Sequence, residues 1–214
     1  MKTPDAAAEH LRTIRSLMER ATVYRAISGP GALLGGGLAL LVGGGLLSRE
    51  LQWQPTNLQF MAIWLAVLVL VTAGNFYLLF REARTRREPF VSAGMKHALG
   101  AILPPLLAGF VLSLGVALQH ADAMAEMAAL WAVGYGLALL AAGSFAPRSM
   151  RVLGAVIFLM GLGLFVVATL ARAGEDYCLA LRTMLGCFGV LHLCYGLWVS
   201  FSTRRPANLS RASD

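Results

Sequence analysis

The segment Leu181–Thr203 reads LRTMLGCFGVLHLCYGLWVSFST and has the length and apolar character of a helix that crosses a bilayer. His192 lies at its midpoint and is the one ionisable residue, cysteines and tyrosines aside, that is predicted to sit deep inside a span. Ionisable groups inside a membrane are costly and mark functional sites by default. His192 is therefore the first candidate functional residue of the chain.

The spacing of small residues gives this segment distinct faces. At 100° per residue Cys187 and Cys194 fall on one side, opposite a face of small residues, and His192 lies about 60° from Gly189 on that small face. Small residues let membrane helices approach closely, so this face predicts a helix contact. The face comprises Gly186, Gly189, Leu193, Gly196 and Ser200.

Two interpretations of His192 remain open at this point. A neutral imidazole can hydrogen-bond across a helix contact to a Ser, Thr, Asn or Tyr side chain, or it can line a cavity for a ligand or a proton. We favour the first interpretation, because one polar partner on a neighbouring helix is enough to satisfy the ring. Asn75 and Tyr195 complete the set of candidate intramembrane polar residues.

Composition identifies the class of protein. Hydrophobic residues make up 57% of the 214 residues and charged residues only 14%, a balance that soluble domains of this size do not normally show. Six apolar segments each approach the roughly 20 residues that cross about 30 Å of hydrocarbon. We therefore predict an all-α polytopic membrane protein with a six-transmembrane-helix bundle. The segments are 27–47, 58–80, 98–118, 124–145, 152–171 and 181–203.

The distribution of basic residues predicts the orientation of the spans. Arg49, Arg172 and Arg182 lie on one side, and the other 15 of the 18 Lys and Arg residues lie on the opposite side. Under the positive-inside rule, both termini are then cytoplasmic. We expect a multi-pass protein of the bacterial cytoplasmic (inner) membrane. Its parts are a cytoplasmic amphipathic helix at 1–27, a transmembrane domain at 28–203 and a short cytoplasmic tail at 204–214.

Residues 1–27 carry an apolar stripe beside arginines, which is the pattern of a helix that lies in the inner interface of the membrane. The alternative is a docking helix for a cytoplasmic protein partner. The net charge of +7 is explained by topology and by contact with anionic lipid, so we do not predict nucleic-acid binding. The predicted membrane-surface basic residues are Arg12, Arg15, Arg20, Arg84, Arg86 and Arg87.

Glycine is concentrated in the first span, which reads SGPGALLGGGLALLVGGGLL at 28–47. Because each interior glycine costs about 1 kcal/mol relative to alanine in a soluble helix, neighbouring helices must hold this one in place. Close packing is the favoured interpretation, and a broken helix that lines a substrate site is the alternative. The same small faces are compatible with a homo-oligomer.

The pattern LxGxxL occurs in the first, third and fifth spans, as three successive helical hairpins would predict. The glycine of each LxGxxL pattern is a predicted helix-packing residue, in addition to the glycines of the sixth span. The full set is Gly35, Gly109, Gly161, Gly186, Gly189 and Gly196.

Two further local features of the sequence predict details of the second and third spans. Trp64 near the start of the second span, with Tyr77 and Phe80 near its end, is typical of the aromatic belts at membrane interfaces. Pro104 and Pro105 are expected in the first two turns of the third span, where a kink is tolerated.

The residues that carry chemistry are too scattered for a catalytic or metal site. His10 and His97 are predicted at the inner surface, His120 at the outer surface and His192 in mid-membrane, and no CxxC or HExxH motif occurs. The three cysteines lie on or next to one helix, at separations beyond the Cα distance of about 7 Å that a disulfide allows. We therefore predict reduced thiols, no metal, no cofactor and no enzymatic activity.

Two segments resemble a known family. They are the run Ile14–Arg20 leading to Ser28-Gly29, and the run Gly189–Gly196, which reads GVLHLCYG. Together they resemble a family of uncharacterised bacterial six-span inner-membrane proteins, some of which are encoded beside a winged-helix transcriptional regulator. The chain departs from that pattern in its glycine-rich first span and in its charged 172–180 loop. The resemblance implies the fold and a regulatory neighbourhood, and it supplies no site residues.

Two classes of function follow from these features. The favoured class is a non-enzymatic sensory, regulatory or interaction protein that works through residues 1–27 and the basic inner surface. The alternative is a permeation or transport protein for a small solute or an ion, which would use the glycine-rich first span, Asn75 and His192. An uncharged bundle interior and the absence of large loops favour partner contact over coupled transport.

Overall fold

The computed structural model describes residues 29–50, 52–86, 93–144, 147–170 and 176–202. Within these ranges every regular element is helical, and six helical spans are long and apolar enough to cross a membrane. This confirms the prediction of an all-α bundle of six spans. Residues 1–27 and the 204–214 tail, each predicted to be a separate part of the chain, lie outside the described residues.

The first five spans are single helices, and the sixth span is composite. A six-residue π-helical stretch, which we call the π segment, joins the two α-helices of the sixth span, and a short 3₁₀ turn at Ala142–Ser144 follows the fourth helix. The helices are α1 (Gly29–Leu47), α2 (Asn57–Arg86), α3 (Ala93–Gln119), α4 (Met124–Ala141) and α5 (Arg148–Leu170), then α6 (Asp176–Met184), the π segment (Leu185–Val190) and α7 (Leu191–Ser202).

Helices α2 and α3 are longer than the apolar segments that predicted them. At 1.5 Å per residue α2 is about 45 Å long, so it extends beyond about 30 Å of hydrocarbon into the basic residues that follow the apolar segment 58–80. Helix α3 begins at Ala93, which places Pro104 and Pro105 near its middle and not in its first two turns as expected. The apolar pattern marks the membrane-crossing part of a helix and not its ends.

Helix α4 is the most enclosed span of the bundle and packs against α3, α5 and α6. Its contacts with α3 and α5 are between backbones. A Cβ atom added to Gly134 would lie 2.9 Å from the Pro105 carbonyl oxygen of α3, and one added to Gly136 would lie 2.5 Å from the Phe158 amide nitrogen of α5. Glycine is therefore required at both positions for these helices to approach so closely.

Helix α1 packs against the sixth span through glycines that recur every seventh residue, Gly29, Gly36 and Gly43. Seven residues turn an α-helix back to within about 20° of the same direction, so these glycines share one face. A Cβ atom on Gly36 would lie 2.8 Å from the Gly189 carbonyl oxygen. The glycines of this face of α1 are therefore packed closely against the sixth span. Helix α1 is continuous within its described bounds.

The glycines provide a test of backbone contact in this bundle. Gly136→Ala should lower the free energy of unfolding by about 1–3 kcal/mol, because the new Cβ meets backbone atoms of α5 that cannot swing aside. Gly37→Ala is the matched control: a Cβ there has no atom within 4 Å. It should be neutral, or stabilising by up to about 1 kcal/mol. Unfolding of the detergent-solubilised proteins measures both, and equal losses would contradict this account.

Candidate functional site

His192 is bonded at both ring nitrogens inside the bundle. Its Nδ1 lies 2.9 Å from the carbonyl oxygen of Cys187, and its Nε2 lies 2.8 Å from the hydroxyl oxygen of Tyr135 on α4. Because a carbonyl oxygen only accepts, Nδ1–H is the donor to Cys187. In the neutral ring Nε2 is then the acceptor, so the Tyr135 hydroxyl donates to it. A tyrosine on a neighbouring helix is a partner of the kind expected from the sequence.

The π segment explains why the Cys187 carbonyl is available to the histidine ring. The amide of Leu191 donates to the carbonyl of Gly186, five residues back, whereas an α-helical amide would donate to Cys187. The carbonyl of Cys187 thus loses its usual α-helical partner and accepts from the imidazole. One side chain satisfies a backbone group in its own helix and a hydroxyl group on another.

Aromatic rings enclose the histidine. The ring of Phe188, in the π segment, lies nearly parallel to the imidazole, with centroids 6.2 Å apart and an interplanar angle of 13°. The Tyr135 ring lies 5.3 Å from both the Phe188 and the His192 rings. As a result only 8% of His192 is exposed. Tyr195, also on α7, is buried in a cluster against which Tyr135 packs.

The π segment also changes the faces that α-helical geometry predicted for the sixth span. Cys187 is fully buried and Cys194 is exposed, although the sequence placed them on the same side. Gly186 was expected in the helix contact, yet a Cβ atom there would meet no atom within 4 Å. The α-helical projection assumes 100° per residue throughout, whereas a π turn rotates less per residue, so the projected faces do not continue unchanged across the π segment.

The other predicted packing glycines lie at helix contacts. A Cβ atom on each would approach another helix closely: Gly35 approaches Val71, Gly109 approaches Leu130, Gly161 approaches Val133, Gly189 approaches Leu40 and Gly196 approaches Leu33. Gly35 and Gly109 therefore face the next helix in the chain, whereas Gly161 faces α4, the preceding one. This arrangement does not repeat as three identical hairpins would.

The three candidate intramembrane polar residues fall into two places. His192 and Tyr195 lie on α7 beside Tyr135, whereas Asn75 lies on α2 against Gly31 of α1. The side-chain oxygen of Asn75 is buried there without a hydrogen-bond partner. The structure therefore does not join Asn75 to His192 in one site.

The predicted membrane-surface basic residues are only partly described. Arg84 is exposed near the end of α2, and Arg86 is the last residue of that helix. Arg12, Arg15, Arg20 and Arg87 lie outside the described residues.

A second group of cross-links lies toward the helix ends that carry Asn57 and His120, and it was missed in the sequence. The Asn57 side-chain amide donates to the His120 carbonyl over 2.7 Å, and the Trp131 indole N–H donates to the Ser113 hydroxyl over 2.7 Å. Trp64, expected in an interface belt, is instead 4% exposed and lies 6.2 Å from the Phe60 ring. An amphipathic aromatic ring near a helix end can lie in an interface belt or in a helix contact. The sequence position of Trp64 alone did not distinguish these two locations.

Tyr135 is the residue of the candidate site that sequence reasoning did not single out. Its local signal is the tripeptide Gly134-Tyr135-Gly136, in which one polar-tipped aromatic residue stands between two glycines.

The chain was also compared with protein-family models, with curated proteins and with solved structures, and none of them matches it. The candidate site is therefore defined by its geometry.

The Tyr135–His192 hydrogen bond can be measured by a double-mutant cycle. Tyr135→Phe should lose about 0.6 kcal/mol of stability, the average for an interhelical hydrogen bond in a membrane protein. His192→Leu should lose more, about 1–3 kcal/mol, because it also strands the Cys187 carbonyl. His192→Gln keeps a hydrogen-bonding group at that depth and should cost little.

Unfolding of the four proteins of the cycle in one detergent gives the coupling energy between Tyr135 and His192, which we expect to be about 0.6 kcal/mol. A coupling energy of zero, or unchanged stability in both His192 variants, would show that the histidine does not hold the bundle together.

Proposed function

We propose that this chain is a non-enzymatic integral membrane protein with a sensory, regulatory or interaction role. The observation that carries the proposal is the double bonding of His192 to Tyr135 and to the Cys187 carbonyl. A group that binds a passing solute or proton needs a nitrogen free to exchange partners. Here both ring nitrogens of His192 are bonded within the bundle, which supports a role in shaping the protein.

The proposed location is the bacterial cytoplasmic membrane, with both termini in the cytoplasm. The charge distribution of the sequence supports it, and the described residues Arg84, Lys96 and Arg148 are exposed at helix ends that the alternation of spans places on one side. The resemblance to a bacterial inner-membrane family supports the same location.

The proposed partner is a cytoplasmic protein that binds residues 1–27. The apolar stripe of this segment contains Leu11, Ile14 and Met18, which recur at the spacing of a helix that lies in a groove. The family resemblance, with its winged-helix regulator encoded nearby, supports a regulatory partner. The surrounding arginines hold the segment near anionic lipid, where such a partner would meet it.

Permeation of a small solute or ion is the alternative, and one observation favours it. The side-chain oxygen of Asn75 is buried without a hydrogen-bond partner at the contact between α1 and α2. A buried acceptor with no partner is costly, and a passing donor or cation would satisfy it.

Partner capture tests the first proposal. The full chain in nanodiscs should retain a cytoplasmic protein that is lost when residues 1–27 are deleted. Leu11→Ser with Ile14→Ser should lose it as well, because the stripe is broken. Arg12→Gln with Arg15→Gln is the matched control, which removes charge and keeps the stripe. Solute flux in liposomes that contain only this protein, abolished by Asn75→Leu, would refute the interaction role.

Orientation is tested separately by reporter fusions. A reporter at the C-terminus should report a cytoplasmic location, and the same reporter inserted in the 119–123 loop should report the opposite side, as the charge distribution predicts. A C-terminus on the periplasmic side would overturn the proposed topology.

A further inference from the structure

The sixth span presents different faces to its neighbours on the two sides of the π segment. Cys187 within the segment is fully buried, and Cys194, seven residues later, is exposed. In an uninterrupted α-helix these two positions would lie within about 20° of each other. The surroundings of the sixth span therefore change between the π segment and α7.

The two halves of the sixth span have different main neighbours. Helix α6 packs against α4, and its Leu181 is fully buried in the same core as Met127 of α4. Helix α7 packs against α1 at backbone distance: a Cβ atom on Gly196 would lie 3.0 Å from the carbonyl oxygen of Gly29. Helix α1 also packs against the π segment and, through a smaller contact, against α6. The π segment is thus the point where the main neighbour of the sixth span changes from α4 to α1.

The contact between α7 and α4 is of another kind, because it is made through side chains. His192 reaches Tyr135 by a hydrogen bond, and Tyr195 lies in one buried cluster with Leu139 of α4. Helix α4 itself is held at backbone distance to α3 and α5. Two tightly packed groups, α1 with α7 and α3 with α4 and α5, are therefore joined here by side chains that can separate without breaking a backbone contact.

The local geometry also leaves room for bending. Kinks in helices occur at π turns and where a side chain enters the backbone ladder, and both conditions meet at Cys187 and His192. A Cβ atom on Gly186, within the π segment, would meet no atom within 4 Å, so this turn has open space beside it. Bending there costs no contact at Gly186.

We propose that the π segment Leu185–Val190 is a hinge in the sixth span, and that the Tyr135–His192 hydrogen bond is the latch that holds α7 closed against α4. With the latch formed, the bundle is in the arrangement described above. With the latch released, α7 tilts at the π segment and carries α1 with it, which shifts the smaller contact between α1 and α6. This conformational device goes beyond the proposed function and would serve an interaction protein and a permeation protein alike.

Distances between spin labels test the hinge. The labels are placed at Phe201→Cys, near the end of α7, and at Val152→Cys on α5, both exposed positions at the same end of the bundle. The background carries Cys178→Ser, Cys187→Ala and Cys194→Ser, which leaves the Cys187 carbonyl in place. A kink of about 20° acting over the roughly 20 Å from the π segment to the label would move it by about 7 Å.

The background protein should give one narrow distance distribution. Tyr135→Phe and His192→Leu should each add a population displaced by about 7 Å, since both remove the latch. Thr183→Val is the matched control on α6, where it removes a side-chain bond of 2.9 Å to the Leu179 carbonyl and leaves the latch intact. That control should keep the narrow distribution.

Three results would overturn the proposal. An unchanged distribution in both latch variants would make the bond a static cross-link. Equal broadening in Thr183→Val would make the effect a general loosening of the bundle. If His192→Leu does not fold, the conservative Tyr135→Phe decides alone, and an unchanged distribution in that variant refutes the hinge.

Discussion

Three consecutive residues of α4 determine where its neighbours lie. Gly134 allows contact with α3, Gly136 allows contact with α5, and Tyr135 between them reaches the sixth span. Successive residues of an α-helix point about 100° apart, so one tripeptide serves three directions. In lipid there is no hydrophobic drive between helices, and the dispersion contacts and hydrogen bonds of such short approaches must supply the association energy.

The spans were predictable because the bilayer imposes a length and a polarity that any crossing helix must meet. The ends were not, since backbone hydrogen bonds continue a helix into polar segments, as α2 does up to Arg86. Hydropathy also fails to separate a membrane interface from a helix contact for a residue such as Trp64, whose ring suits both. These errors concern where a helix stops and what it touches, and not whether it exists.

The candidate site was predictable in its centre and not in its surroundings. A histidine in mid-membrane is visible in any sequence, and its need for a partner follows from its cost. The identity of Tyr135 depends on how α4 packs, and the π segment has no local mark in LGCFGV beyond its two glycines. Across one π turn Cys187 is buried while Cys194 is exposed, and Gly186 lies outside the predicted helix contact. The function is harder to predict from the sequence than the site, because apolar spans have similar composition in proteins of different function.

The π segment and His192 explain each other. Helix α6 packs against α4, whereas α7 packs mainly against α1, and the π segment lies between these two contacts. The turn leaves the Cys187 carbonyl without its α-helical partner inside the bundle, where an unpaired polar group is costly. The imidazole fills that position and still has a second nitrogen for Tyr135. His192 thus offsets the cost of the unpaired Cys187 carbonyl that the π segment creates. The polar side chain that is unusual in an apolar span is explained by the irregular backbone of the same span.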